Sequence, residues 1–254
     1  MAEDTGEVRP IAAEQGAPAA AASEPGPPAV AIFDLDGTLV VGQTQVLLVK
    51  FLRRARVVSR TFVAGTALWF IAYKLKLVRV TQASREKGAG ILAGLTVEEV
   101  DALMDRFADE VMVPRLHPAA ASALAEHRAE GDLVVVVSAA LDPVVGALCR
   151  RLDVTEYAAA TCEVVDGRYT GRLSGPIPYR QEKARLAAQF IASSGADPSD
   201  CWAYADHDTD LELLRSVGHP VAVNPRPGLR AEAERQGWPI LLSPDLIPGG
   251  SKNG

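Results

Sequence analysis

The hydrophobic positions of this chain follow two alternating patterns. Short continuous apolar runs, rich in β-branched residues, occur in PAVAIFD (28–34) and DLVVVVS (132–138). Such runs are typical of parallel strands that are covered on both faces of a sheet. Between the runs, apolar residues recur at helical spacing, as in QEKARLAAQFIASSG, where Gly195 is expected to end a helix. The two patterns predict strands that alternate with helices.

The order of these elements predicts an α/β fold with a doubly wound, mainly parallel sheet. Helical patterns lie between successive strands from about 115 to 245, which is typical of a Rossmann-like core. In EVVDGRYTGRL, Asp166 and Gly167 predict the turn of a hairpin. Further strands are predicted at 132–138, near 158–163, at 201–206, and in the runs PVAVN and WPILL.

A helical segment interrupts this alternation directly after the first strand. Apolar residues at helical spacing begin near 43, continue through 61–78, and extend across LTVEEVDALMDRFADEVM (95–112). In the last of these helices, Thr96 and Glu99 have the spacing of a capping box. The segment is therefore predicted to be a helical cap.

The chain is thus predicted to consist of a core with an inserted domain. Residues 29–42 and 113–245 form the α/β core, and residues 43–112 form the helical cap. The flanking segments 1–28 and 246–254 contain few residues that could be buried. We expect both to be disordered tails.

Composition and charge exclude several classes of protein. The 254 residues carry a formal net charge of −6, which argues against a general nucleic-acid partner. The three cysteines lack the CxxC spacing of a zinc site and suit reduced thiols. The sequence has neither the basic start of a signal peptide nor an apolar run long enough to cross a membrane. We therefore predict a cytoplasmic protein.

Positive charge is concentrated in the predicted cap. Ten basic residues and one acidic residue lie between Gly42 and Gly88, although the whole chain is acidic. In RTFVAGTALWFIAYKLK, an uncharged run is flanked by basic residues. An amphipathic basic helix of this kind can lie on an anionic membrane, which would make the cap a peripheral membrane contact. The alternative is that the apolar residues form the core of the cap itself.

Carboxylates follow the predicted strands. Asp34 and Asp36 lie in AIFDLDGTLV at the end of the first strand, and Asp206 follows another strand, with Asp210 one helical turn later. Because ligands of such sheets bind beyond the carboxyl ends of the strands, we expect these side chains to meet at one rim. They would repel each other without a cation, and Mg²⁺ prefers oxygen ligands. Asp34 and Asp206 are the natural pair to hold it.

Ser138 and Lys183 complete a set that can act on phosphorus. Ser138, at a strand end, offers a hydroxyl to a phosphate oxygen, and Lys183, near the start of its helix, offers a compact positive charge. Asp34 and Asp36 lie on the same side of an extended chain, so one could attack while the other handles a proton. A nucleophile, a proton donor, a metal and a cationic group are the requirements of in-line phosphoryl transfer.

These segments resemble the four motifs of the haloacid dehalogenase-like superfamily of phosphohydrolases. DLDGT (34–38) resembles the first motif, and YADHDTDLELL (204–214) resembles the fourth, while Ser138 and Lys183 match the second and third. The resemblance covers residues 29–242. A helical insertion between the first two motifs is similar to the small-cap branch that includes phosphoserine phosphatases.

The resemblance implies a role for each residue. Asp34 would be the nucleophile that forms an aspartyl-phosphate, and Asp36 would protonate the leaving alcohol and then activate water. Mg²⁺ would be bound by Asp34, the backbone carbonyl of Asp36, and Asp206. The remaining roles implied are phosphoryl binding by Ser138 and Lys183, and orientation of Lys183 or of a metal-bound water by Asp210.

Three positions bear on the substrate. Gln43 stands where phosphoserine phosphatases have an acidic residue for the amino group, and Gly88 stands where they have an arginine, with Arg85 nearby. An amino-acid zwitterion would lose its partners, so phosphoserine becomes an alternative substrate rather than the leading one. In the fourth motif, His207 replaces a serine, and it either lines the site or faces solvent.

The sequence therefore predicts a Mg²⁺-dependent phosphomonoester hydrolase acting on a small organic or lipid-like phosphate. Two further possibilities are a phosphotransferase with an acceptor other than water, and a non-catalytic phosphate-binding module. The presence of Asp36 favours turnover, because loss of the proton donor is the simplest way to silence such a site. Outside the site, His127 is predicted to lie on an exposed helix face.

Overall fold

The strands of the core form one six-stranded parallel sheet. The computed structural model of the protein describes residues 28–56 and 88–243. The sheet consists of β1 (Val30–Phe33), β2 (Leu133–Leu141), β3 (Glu156–Ala160), β6 (Trp202–Ala205), β7 (His219–Val223) and β8 (Ile240–Leu241). Their order is β3-β2-β1-β6-β7-β8. The predicted doubly wound α/β sheet is thereby confirmed.

Helices cover both faces of this sheet. The helices are α1 (Thr44–Arg54), α2 (Val97–Phe107), α3 (Pro118–Glu130), α4 (Asp142–Leu152), α5 (Gln181–Ser194), α6 (Leu211–Leu214) and α7 (Pro227–Gln236). Residues of α1 to α4 pack on one face with Phe33, and residues of α5 to α7 pack on the other with Ile32. Alternate residues of β1 therefore point to opposite apolar layers, as the pleat of a strand requires.

Strand register brings the catalytic candidates to one edge of the sheet. Phe33 in β1 is opposite Val136 in β2 and Tyr204 in β6. Asp34 follows this row by one residue, and Ser138 and Asp206 follow it by two. The parallel strands thus deliver all three residues to the carboxyl edge.

Local signals in the sequence explain several element boundaries. The Thr96 side chain accepts a hydrogen bond from the Glu99 N–H, and the Glu99 carboxylate accepts one from the Thr96 N–H, so the capping box is confirmed. The predicted hairpin is also confirmed, with β4 (Cys162–Val165) paired to β5 (Arg168–Leu173). The helix α2 ends earlier than predicted and continues as a π-helical turn, Ala108–Met112.

The described part of the predicted cap packs on the core. Arg151 of α4 binds Asp105 at 2.5 Å and Asp109 at 2.9 Å, and apolar residues of α1 and α2 belong to the same buried cluster as Phe33. The predicted helix at 61–78 and most of both predicted tails lie outside the described residues. Among the described helices, none is both long and apolar enough to cross a bilayer.

The prediction of an exposed His127 is wrong. His127 is 6% exposed, and its Nδ1 lies 2.7 Å from the Asp132 carboxylate. Its Nε2 lies 2.9 Å from the hydroxyl of Tyr204 in β6. The helix α3 is rich in alanine, so its apolar pattern does not reveal which face is turned to the sheet. The three cysteines are free and buried.

Candidate active site

Three buried carboxylates converge beyond the ends of β1 and β6. Carboxylate oxygens of Asp34, Asp206 and Asp210 all lie within 4.8 Å of one another. Asp34 and Asp206 leave their strands directly, and Asp210 lies at the end of a 3₁₀ turn before α6. Such proximity of like charges in a buried place is relieved by protonation or by a compensating cation.

Lys183 provides part of this compensation. It lies in the first turn of α5 and is 3% exposed, and its Nζ is 2.5 Å from Asp34 Oδ1 and 3.3 Å from Asp210 Oδ1. Burial favours the neutral amine, but the two carboxylates outweigh that effect, so the pKa of Lys183 is raised. The ammonium is therefore charged, and it links the first and fourth sequence motifs.

Asp34 is held at both of its oxygens. While Oδ1 accepts a hydrogen bond from Lys183, Oδ2 accepts one from the Thr38 hydroxyl at 3.2 Å. Its backbone N–H also donates to the Tyr204 carbonyl at 3.0 Å. Ordering by two side chains and the neighbouring strand pre-organises this carboxylate, which favours a role as nucleophile.

Asp36 has a different environment, although it lies only two residues away. Its Oδ1 accepts a hydrogen bond from the backbone N–H of Thr44, the first residue of α1, at 2.6 Å. Burial raises the pKa of Asp36 to about 6, with the Thr44 N–H opposing the shift and the charge of Asp34 adding to it. A carboxyl group with a pKa near neutrality can both donate and accept a proton.

The other two carboxylates bind protons more readily than free carboxylates do. Burial, followed by the charge of Asp34, raises the pKa of Asp206 to about 7. Burial also raises the pKa of Asp210 to about 6, against the effect of Lys183. Lys183 thus does not neutralise the cluster, and the all-oxygen donor set fits a hard divalent cation such as Mg²⁺.

Gly37 allows the two acidic loops to approach each other. Its φ is +88°, and a Cβ at this position would lie 2.3 Å from Asp206 Oδ2. Only glycine combines that backbone conformation with that lack of volume. The sequence prediction did not include Gly37 or Thr38, although both belong to the DLDGT motif that would have signalled them.

The structure also locates the other predicted residues. Ser138 is buried in β2, and its hydroxyl accepts a hydrogen bond from the Ala140 N–H at 3.1 Å. Gln43 is exposed and makes no side-chain cap at the start of α1. The predicted substrate contact Arg85 lies outside the described residues.

His207 directly follows Asp206 and is only partly exposed. Its Nδ1 is 2.5 Å from Asp208 Oδ1 and 3.1 Å from the backbone nitrogen of Thr209. Burial lowers the pKa of His207, with Asp208 opposing the shift. His207 therefore begins the 3₁₀ turn that carries Asp210.

Arg226 is a residue that the sequence prediction missed. It precedes α7, its Nε lies 3.5 Å from Asp206 Oδ2, and its backbone N–H donates to the Asp206 carbonyl at 2.9 Å. The side chain is half exposed. No motif marks an arginine after a strand, so only the packing of the two loops reveals this contact.

Comparison with known proteins agrees with this geometry. A model of the haloacid dehalogenase-like hydrolase family matches residues 31–215. A protein of Mycobacterium tuberculosis that bears the name "probable phosphatase" is 32% identical over 213 residues, which cover 83% of this chain and 74% of that protein. A phosphoserine phosphatase of the same organism is 30% identical over 233 residues, covering 87% and 74%.

A solved structure has the same fold. The crystal structure of a Bordetella pertussis protein of unknown function has a TM-score of 0.76 and 30% identity. The match covers 84% of this chain and 98% of that one. The likeness therefore extends over almost the whole of that smaller protein.

Proposed function

Because the chain belongs to the haloacid dehalogenase-like hydrolase family, we propose that it is a Mg²⁺-dependent phosphomonoester hydrolase that forms an aspartyl-phosphate on Asp34. The observation that carries the proposal is the ordered Asp34 carboxylate, which is bound by Lys183 and lies within 4.8 Å of two further carboxylates. Relatives that bear the name phosphatase support an enzyme over a non-catalytic binding module.

The first half of the reaction uses both acids of the DLDGT motif. An oxygen of Asp34 attacks phosphorus, and the bond between phosphorus and the ester oxygen breaks. The proton of Asp36 goes to that oxygen, so the alcohol leaves neutral. The raised pKa of Asp36 keeps part of the population protonated near neutral pH for this purpose.

The second half returns the protein to its starting state. Asp36, now ionised, takes a proton from a water molecule, whose oxygen attacks phosphorus. The bond between phosphorus and Asp34 then breaks, and inorganic phosphate is released. Lys183 and the Ser138 hydroxyl are proposed to hold the phosphoryl oxygens throughout both steps.

The proposed metal ligands are Asp34, the backbone carbonyl of Asp36, and Asp206, with Asp210 in support. Bound there, Mg²⁺ would neutralise charge on the phosphoryl group and the carboxylates. Gly37 leaves room for the Asp206 carboxylate, because a Cβ at position 37 would overlap Oδ2.

Mutation of the two acids tests the chemistry. Hydrolysis of an aryl phosphate with Mg²⁺ should fall by at least about a thousandfold in Asp34→Asn, and strongly in Asp36→Asn. Asp200→Asn, which changes an exposed carboxylate of the same type, should retain activity. Wild-type rates in Asp34→Asn would contradict the proposal. Added alcohols that become phosphorylated would instead indicate phosphotransfer.

The substrate is proposed to be a small organic or lipid-like phosphate without an α-amino group. Gln43 is exposed and uncharged where an ammonium group would need a carboxylate. Phosphoserine is the second candidate, because the phosphoserine phosphatase from Mycobacterium tuberculosis matches most of the chain.

Three related esters separate these candidates. Phosphoserine, its deaminated analogue 3-(phosphonooxy)propanoate, and phosphoethanolamine differ only in their amino and carboxylate groups. We expect the deaminated ester to be hydrolysed at least as well as phosphoserine. A phosphoserine kcat/KM more than about a hundredfold higher would establish recognition of the amino group and favour the second candidate.

A further inference from the structure

Two arginines and a histidine lie next to residues of the site. Arg180 directly precedes α5, His207 follows β6, and Arg226 directly precedes α7. Arg226 lies 3.5 Å from the Asp206 carboxylate, and Arg180 directly precedes the helix whose Lys183 binds Asp34. The charges of both arginines influence the pKa of His207, which directly follows Asp206. None of the proposed chemical steps uses either arginine.

Arg180 has a strained backbone. Its φ is 52° and its ψ is −119°, outside the left-handed helical region that Asp153 occupies with φ 53° and ψ 45°. A residue with a side chain is unfavourable in this region, whereas glycine adopts it readily. Strain of this kind persists where a side chain contributes to function. Arg180 is three residues before Lys183, so its strained backbone adjoins the phosphoryl site.

The guanidinium of Arg180 is exposed and held in place. It lies over the Tyr179 ring, 5.4 Å from the centroid, and a hydrogen bond to Tyr179 raises its pKa. Within residues 28–56 and 88–243, no carboxylate forms an ion pair with it, although Asp208 and Glu212 attract it from farther away. Its charge is therefore pre-positioned and available to a ligand.

Arg226 has a partner that the proposed reaction would engage elsewhere. Its ion pair is with Asp206 Oδ2, at 3.5 Å, and Asp206 is a proposed metal ligand. A cation bound to Asp206 would take over the negative charge that Arg226 now faces. The half-exposed guanidinium of Arg226 would then lack a negative partner beside the site.

We propose that Arg180 and Arg226 together bind a second oxyanion, such as a carboxylate, on the leaving group of the phosphate ester. The inference rests on the proposed function and names the class of substrate that its site selects. Arginine suits this role because its planar guanidinium binds a carboxylate through two parallel hydrogen bonds.

Binding of two inert phosphonates tests the inference without turnover. Benzylphosphonate and 4-carboxybenzylphosphonate differ only in the second oxyanion, and calorimetry with Mg²⁺ gives the ratio of their Kd values. The wild type should bind the carboxylated compound about fivefold more tightly, the effect of one solvent-exposed charge pair. In Arg180→Gly and Arg226→Gln, that preference should fall to about twofold or less.

Matched variants show whether the preference for the carboxylated compound depends on these two arginines or on positive charge in general. Arg230→Gln removes an exposed arginine of α7 that pairs with Glu234, so the fivefold ratio should persist. Arg180→Lys should retain part of it. Arg180→Gly should also melt at a higher temperature than the wild type, because the backbone strain is relieved.

Two outcomes overturn the inference, and they differ from failure of the proposed function. Equal affinity of the wild type for both phosphonates, or an unchanged ratio in the Arg180 and Arg226 variants, contradicts the second oxyanion site alone. If neither phosphonate binds to the wild type in the presence of Mg²⁺, the phosphoryl site itself is wrong, and both proposals fall.

Discussion

Two carboxylates that are two residues apart acquire different chemistry from their contacts. Asp34 is held by an ammonium and a hydroxyl, whereas Asp36 is held by Thr44, the first residue of another element. The ion pair with Lys183 orders the first carboxylate for its proposed role as nucleophile. Burial raises the pKa of the second to about 6, which prepares it for proton transfer. The division of roles thus arises from tertiary contacts rather than from residue type.

Gly37→Ala tests whether the site needs the lack of a side chain at position 37, in addition to the positive φ. The added Cβ would collide with Asp206 Oδ2, so both Mg²⁺ affinity and kcat/KM should fall by about tenfold or more. Gly131→Ala is the matched control, because Gly131 has the same φ of +88° with no atom near the added Cβ.

Gly131→Ala should destabilise the protein by about 1 kcal/mol, because alanine is strained at positive φ. Gly37→Ala should destabilise it by at least as much, because its Cβ also overlaps Asp206. Activity should be lost only in Gly37→Ala, as measured by kinetics and by Mg²⁺ titration. Equal activity in the two variants would show that the close approach of Gly37 to Asp206 does not matter.

At the scale of elements, helix ends and strand ends position the chemistry. The first residue of α1 binds Asp36, the first turn of α5 supplies Lys183, and the loop before α7 binds Asp206. Sheet twist and register bring these separate ends together. A sequence pattern reports each helix and strand, but it does not report which ends meet.

Features within one element could therefore be predicted from the sequence, whereas contacts between elements could not. Continuous β-branched runs and capping residues predicted the strands, the hairpin and most helices, and the acidic residues after strands predicted Asp34 and Asp206. The burial of His127 was not predictable, because alanine-rich α3 gives no clear apolar face. Arg226 was missed because its contact with Asp206 depends on loop packing across β6 and β7.

The hydrogen-bond network of His127 links α3 to β6 and should contribute to stability but not to activity. Tyr204→Phe keeps the ring, which stacks on Phe33 at 4.3 Å, but leaves His127 Nε2 without its hydroxyl partner. The free energy of unfolding in urea should decrease by about 1–3 kcal/mol, the cost of an unsatisfied buried polar group.

Tyr157→Phe is the control for this prediction, because Tyr157 is 40% exposed, whereas Tyr204 is 4% exposed. Its unfolding free energy should change by less than about 0.5 kcal/mol. A Tyr204→Phe protein as stable as the wild type would mean that the hydroxyl contributes nothing to the network.

At the scale of the whole molecule, one sheet edge concentrates negative charge that folding must accommodate. Burial and the charge of Asp34 raise the folded-state pKa of Asp206 to about 7, well above the ordinary value of the carboxyl group. The resulting contribution to stability is present at low pH and is lost as pH rises through about 7. The metal-free folded state therefore becomes less stable in the same pH range in which Asp206 ionises and can bind a cation.

Stabilisation by Mg²⁺ should consequently grow with pH. Protons compete with the cation for Asp206, so the increase in Tm caused by Mg²⁺ should be small at pH 5 and larger at pH 8. In Asp206→Asn the increase should be small at both values. An increase of the same size at pH 5 and pH 8, or one that survives in Asp206→Asn, would contradict this account.

The central claim, that Asp34 becomes phosphorylated, is tested most directly by trapping the intermediate. Asp36→Asn protein is mixed with an aryl phosphate and Mg²⁺, quenched in acid, digested, and sequenced by mass spectrometry. The account predicts a phosphoryl group on Asp34, which accumulates because the second step lacks its base, and none in the Asp34→Asn variant. A phosphoryl group on another residue, or rapid phosphate release from Asp34→Asn, would contradict it.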